Sequence, residues 1–196
     1  MKKILLIICM LIMNITAVNA ENPKQILILA KELPDMYILQ DDGNKQFQVR
    51  ILDRRTVMPM TCLNQEKARF DELKLNETAI TCQIQSINSH MNLHIKHYIR
   101  LNLSNIAKDF HIKLKDYDLH KFSSTLQIFQ TIGQHLSFKT IANYQHYLKT
   151  DLSLRDLYTL FKHYQDGPIQ VHYLYPRLIW LPLNKSYYPL DKTFYR

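Results

Sequence analysis

Leu93-His94-Ile95-Lys96-His97-Tyr98-Ile99-Arg100-Leu101-Asn102-Leu103 carries the clearest periodicity in the chain, with apolar residues at 93, 95, 99, 101 and 103 and polar ones at 94, 96, 100 and 102. Alternation with a period of two places one set of side chains on each face of an extended strand. On its N-terminal side Ile80, Cys82 and Ile84 alternate with Thr81, Gln83 and Gln85. On its C-terminal side Phe110, Ile112 and Leu114 alternate with His111, Lys113 and Lys115. Three consecutive amphipathic strands predict an antiparallel meander with one wet face.

Further out, Ile26 to Ala30 reads as a buried first strand. Met36 to Leu39, the turn sequence Asp41-Asp42-Gly43-Asn44, and Phe47, Val49 and Ile51 read as a hairpin. Leu63 to Leu73, with Ala68, Phe70 and Leu73 among charged residues, predicts a short helix. Leu126 to Ile132 and Leu136 to Ile141 predict a further hairpin around Gly133. One helix is strongly specified near residues 153 to 165. Leu154, Leu157, Tyr158, Phe161 and Tyr164 share a face, Ser153 and Asp156 form a capping pair, and Gly167-Pro168 follows as a stop. Ile169, Val171, Tyr173 and Tyr175 then alternate, and Leu178 to Leu183 continues as an apolar strand bearing the only tryptophan, Trp180. The expected fold class is α+β: a single domain rich in antiparallel sheet, of six to eight strands, with a well-defined helix near the C-terminus.

The first twenty residues give an address. Lys2 and Lys3 precede an apolar run from Ile4 to Ile12, and Val18-Asn19-Ala20 offers a cleavage site before Glu21. This is the pattern of a secretory signal peptide, and the run is too short for a ~20-residue membrane span. Residues 21–196 are therefore expected to form one exported domain, periplasmic or secreted, with no transmembrane segment. Cys9 lacks the small residues that a lipoprotein cleavage site would place before it. Cys62 and Cys82 remain beyond the signal segment, in a compartment that permits oxidation, and a structural disulfide between them is the expectation.

Glycine occurs only at positions 43, 133 and 167. Phosphate-cradling loops, dinucleotide fingerprints and nucleophile elbows need clustered glycines, which excludes nucleotide-dependent enzymes and typical α/β-hydrolases. No cofactor or metal site is expected. The formal net charge of +8 suits solubility as well as attraction to polyanions such as teichoic acid, lipid headgroups or nucleic acid. Arg54-Arg55 is the densest basic pair, and without a longer basic block nucleic acid is not the expected partner.

Chemistry-bearing residues are scattered. His90, His94 and His97 would converge on a helix but diverge on a strand. Asp116 with Asp118, and Asp41 with Asp42, are close carboxylate pairs that read as turn and surface residues. A secreted hydrolase assembled from distant residues would draw on His172, His97 or Asp116, which makes it the alternative reading. A further alternative is an accessory of a secretion or conjugation apparatus that recruits a chain through a sheet edge. Asn76-Glu77-Thr78, Asn102-Leu103-Ser104 and Asn184-Lys185-Ser186 match the glycosylation sequon. Tyrosines gather late in the chain, and Tyr173, Tyr175, Arg177 and Trp180 are the candidate ligand-binding residues, for a cell-wall glycan or an envelope-protein partner. Aromatic faces take sugar C–H groups while hydroxyls and guanidinium supply hydrogen bonds.

The run Val171-His172-Tyr173-Leu174-Tyr175-Pro176-Arg177-Leu178, leading into an apolar strand, resembles the segment before the last strand of CsiV-type periplasmic peptidoglycan-associated proteins. The resemblance lies mainly within residues 171–183 and implies a non-enzymatic role at the cell wall. The expected function is non-catalytic binding at the cell envelope.

Overall fold

In the computed structural model, residues 24–41, 47–134, 137–166, 169–174, 178–183 and 185–189 are described. The segment read as a signal peptide, the expected turn at Asp42-Gly43-Asn44, the expected stop at Gly167-Pro168, Tyr175 and Arg177 lie outside them. Strand β1 (Lys24–Ala30) runs antiparallel to β2 (Asp35–Asp41), with Leu27 opposite Ile38, and β2 runs antiparallel to β3 (Phe47–Asp53), with Tyr37 opposite Ile51. A small hairpin follows, β4 (Val57–Met60) with β5 (Gln65–Arg69). Helix α1 (Glu77–Met91) leads to β6 (Ile95–Leu101), which lies parallel to β1. Helices α2 (Leu103–Asp109), α3 (Phe122–Gln134) and α4 (Phe138–Asn143) precede the short edge strand β7 (Leu148–Thr150). Helix α5 (Leu154–Asp166) delivers β8 (Ile169–Tyr173) parallel to β3, and β9 (Leu178–Leu181) pairs with β10 (Ser186–Pro189). The main sheet has the order β7-β6-β1-β2-β3-β8.

The fold is thus α+β, with two parallel pairings among antiparallel ones in the described residues. A parallel pairing requires a crossover, and the crossovers place helices on both faces. On one face, here called the back, Leu27, Leu29, Met36, Ile38 and Leu52 pack with Met58, Met60, Phe70 and α1. On the other, the front, Ile26, Tyr37, Leu39, Val49, Ile51, Ile99 and Leu101 pack with α2 to α5. Strands buried on both faces read as unbroken apolar runs, which explains Ile26 to Ala30 and Met36 to Leu39.

Several segments differ from the sequence expectation. The expected strand at residues 80–84 is part of α1. Ile80, Ile87 and Met91 form a helical stripe that happens to overlap a short alternation, Asn76 Oδ1 accepts from the Ala79 N–H at 2.8 Å, and Asn92 closes the helix at φ 50°. Residues 110–114 form no strand: after α2 they wrap over the front core with Phe110, Ile112 and Leu114 half-buried. The expected hairpin around Gly133 is α3 followed by α4. Its buried residues Thr125, Ile128 and Ile132 recur at three and four, spacing that a period-two reading does not capture. Leu63 to Leu73 is not one helix but β5 flanked by 3-10 turns, the chain reversing at Asn64 with φ 56°. Helices cover both faces of the central strands, while the edge strand β8 is exposed from Gln170 to Tyr173.

The strand at 93–103 is shorter, and its alternation hides a switch. A bulge at the Ile95–His97 step leaves Leu93 and Ile95 in the back core and turns Ile99 and Leu101 to the front. Cys62 and Cys82 are joined as a disulfide, Cα to Cα 5.8 Å, tying the turn after β4 to α1.

Candidate functional site

Between the front face of the sheet and helices α2 to α5 the side chains leave a cavity of about 90 Å³. Its floor is Ile28, Tyr37, Leu39, Val49, Ile99 and Leu101, and its roof includes Phe122, Phe129, Ile132, Ile141, Leu160 and Phe161. Nearly every group facing it is hydrocarbon or ring. Close-packed interiors leave few voids larger than a water molecule, and a void lined this way is dry unless an apolar guest occupies it. Gly133 forms part of the wall, where the absence of a side chain keeps the space open.

The polar handle of the floor is Tyr37, whose hydroxyl donates to Thr125 Oγ1 at 3.4 Å. Burial pushes its pKa up to about 12, with Asp35 and Tyr173 reinforcing the rise and the Thr125 contact opposing it. Asp35 lies two residues before Tyr37 on the same face, opposite Asp53 across the β2–β3 register. Two carboxylates directly opposite would repel. The Arg55 guanidinium compensates by donating to both oxygens of Asp53, from Nε at 3.0 and 3.1 Å and from Nη2 at 2.5 Å. Asp53 is only 4% exposed, while the Arg55 side chain is 45% exposed, so the pair joins a buried carboxylate to a guanidinium that water reaches.

Two aromatic rings flank Arg55. Its guanidinium carbon lies 5.0 Å from the Trp180 ring centre and 5.6 Å from that of Tyr187, and the two rings are 4.6 Å apart. Arg54 points elsewhere, its Nη1 donating to the carbonyls of Ala30, Lys31 and Leu33 at 3.2, 3.3 and 3.2 Å, which locks the β1–β2 turn. Burial lowers the Arg54 pKa against the opposing pull of Asp71 and Glu32. Glu32 accepts from the Ser104 hydroxyl at 2.6 Å and its amide at 3.0 Å, joining that turn to the start of α2. Burial works upward on the Glu32 carboxyl, and the Ser104 bonds hold it below the ordinary range. All these groups lie at the end of the sheet where the parallel strands β1, β6, β3 and β8 finish, the end at which open α/β sheets receive ligands.

Of the residues singled out in the sequence, the structure brings Tyr173 and Trp180 to this end. Tyr173, 51% exposed, sits opposite Ile51 on β3, two residues before Asp53. Tyr175 and Arg177 fall outside the described residues. The residues carrying the CsiV-type resemblance divide among β8, the buried Leu174 and β9. The hydrolase candidates do not meet. His97 pairs with Asp151 at 3.1 Å on β6, while exposed His172 is on β8 at the far edge of the sheet. Asp116 lines an open surface depression with His111 and Lys113, and Asp118 caps its own turn through the His120 amide. His90 is bonded to the Ser86 carbonyl at 2.8 Å within α1, away from His97.

No protein-family model matches this sequence, and no curated protein matches it. Solved structures match the fold. Bacillus subtilis TagU superposes with a TM-score of 0.60 at 8% identity, covering 89% of this chain and 93% of that one. TagT bound to LI-WTA gives 0.60 at 11% identity, covering 89% and 87%. A transcriptional regulator from Enterococcus faecalis gives 0.62 at 14% identity, covering 89% and 84%. At such identities the likeness concerns the fold. Among the described residues no helix is long and apolar enough to cross a membrane.

Sequence reasoning missed the cavity and its polar end. In the sequence Tyr37 is one residue of an apolar run, and Arg55 is half of a basic pair. The usable signal for Asp53 and Arg55 was their place immediately after an alternating strand, where side chains leave the sheet at its ligand-receiving end.

Proposed function

We propose that this protein is a non-enzymatic binding protein of the cell envelope, exported by its N-terminal segment, whose ligand is a glycan polymer carrying an apolar chain. The apolar chain occupies the front cavity, and the glycan lies across the polar end formed by Tyr173, Arg55 and Trp180. The cavity carries this reading, since hydrocarbon walls favour a hydrocarbon guest at roughly 25 cal/mol per Å² of apolar surface removed from water. The fold shared with TagT bound to LI-WTA supports a cell-wall glycopolymer of the teichoic-acid kind as that ligand. In sequence Tyr175 and Arg177 stand between Tyr173 and Trp180, and the chain's net positive charge suits a phosphate-bearing polymer.

Two measurements test the two halves. Native mass spectrometry of the full chain, purified from envelope extracts, should find an apolar-tailed ligand that Ile132→Trp excludes by filling the cavity. Retention on purified cell wall should fall in a folded Tyr173→Ala/Arg177→Ala/Trp180→Ala variant. Equal retention by wild type and variant would remove the glycan surface, and an identical ligand content in Ile132→Trp would remove the cavity.

A further inference from the structure

The β9–β10 hairpin combines a fixed base with a bare apolar tip. At the base Leu178 is buried; further along, Ser186 is buried opposite Leu181, Tyr187 N–H donates to the Arg55 carbonyl at 3.2 Å, and Tyr187 bridges to Thr56. The Arg55 guanidinium, held by Asp53, packs beneath Trp180 and Tyr187, which face each other across the hairpin. At the tip the chain turns with Lys185 N–H on the Pro182 carbonyl at 3.2 Å. There Trp180 and Leu181 are 36% and 37% exposed, and Leu183 is 99% exposed. A single exposed leucine is ordinary. Trp180-Leu181-Pro182-Leu183, presented outward in succession on a braced turn, is not.

We propose that this tip is a membrane-interface anchor, with Leu181, Pro182 and Leu183 entering the headgroup region of an anionic lipid bilayer and Trp180 and Tyr187 lying at its boundary. The chemistry of the hairpin selects this partner. Tryptophan and tyrosine have an apolar body and a polar edge, the combination enriched where hydrocarbon meets water. The hairpin from Leu178 to Pro189 carries Lys185 and no carboxylate. From Ile169 to Arg196 the sequence holds Arg177, Lys185, Lys192 and Arg196 against Asp191 alone. Basic groups beside an apolar insertion are attracted to acidic headgroups, and lysine can extend its stem along the apolar layer with the ammonium in water. A convex tip of three residues is far short of the ~800 Å² per partner that a specific protein interface buries. Because the base is already fixed, insertion orders little that was mobile. The inference stands independently of the cavity's ligand.

The sole tryptophan makes the test local. The full chain is mixed with vesicles of phosphatidylcholine, with or without phosphatidylglycerol, that carry brominated acyl chains, and Trp180 emission is followed. Blue-shifted and quenched emission is expected, stronger with phosphatidylglycerol. In Leu183→Asp, whose side chain touches nothing needed for folding, partitioning measured by this quenching should weaken about tenfold or more, the scale expected for losing one inserted leucine. Leu183→Phe should retain it. Attachment through the apolar N-terminal segment alone would leave Trp180 unquenched and would overturn the proposal. So would equal quenching in wild type and Leu183→Asp. A vesicle-free dimer that Leu183→Asp dissociates would assign the tip to a second copy instead.

Discussion

The two faces of the sheet bury similar amounts of apolar side chain and are built differently. The back is filled: Met36, Met58, Met60 and Met91 are all buried there with Phe70, and the Cys62–Cys82 bridge staples α1 over them. Methionine is unbranched and adapts to irregular gaps. The front has branched and aromatic side chains, no buried methionine among its described core residues, and a cavity of about 90 Å³. The same strands thus serve tight packing on one side and line a cavity on the other.

That contrast is breakable by mutation. Phe70→Ala, on the filled face, should cost about 3–5 kcal/mol in denaturant unfolding. Ile132→Phe, on the hollow face, should leave stability within about 1 kcal/mol because the added volume has somewhere to go. If both destabilise alike, the front is not hollow. Replacing both bridge cysteines by serine should cost about 3 kcal/mol and raise amide exchange in α1 before α3 or α5; uniform acceleration would mean that the staple serves both faces. Tyr37 sharpens the front's side of the comparison through pH. Its folded pKa of about 12 lies above the ordinary value of 10, so the stability it contributes is complete below pH 10 and is lost as pH rises through 12. Tyr37→Phe should flatten that alkaline limb in thermal melts. The smallest difference concerns caps: Asn76→Ala on α1 and Ser153→Ala on α5 should each cost about 1 kcal/mol, because helix ends obey the same hydrogen-bond arithmetic on either face.

What could be read from the sequence follows from the same physics. Strands β1 and β2 were legible because burial on both faces leaves uninterrupted apolar runs, and β3 because Phe47, Val49 and Ile51 alternate with Gln48 and Arg50. So was α5, whose Ser153 hydroxyl accepts from the Asp156 amide at 3.1 Å and donates to its carboxylate at 2.6 Å. The bridge was legible from compartment and count. Helix α1 was not, since Ile80, Cys82 and Ile84 alternate as in a strand while only Ile80 and Ile84 keep the helical spacing of four, and Asn76 and Asn102, which cap α1 and α2, also spell sequons. The chamber was illegible in principle, because its walls come from strands and helices spread between Ile28 and Phe161 and no local spacing encodes a void. For the polar end, aromatic content pointed to Tyr173 and Trp180, while their link through Arg55 and Asp53 is a tertiary fact.

Strand β8 meets β3 with Val49 beside Val171, partners separated by more than half of the polypeptide. Until the last segment has been synthesised, the outer hydrogen-bonding row of β3 stays open, and slow, distant pairings of this kind leave a nascent chain vulnerable to pairing with its neighbours. A fold with this topology is completed only when its carboxyl end arrives, so a chain truncated before Ile169 should accumulate as aggregate rather than as a smaller soluble domain.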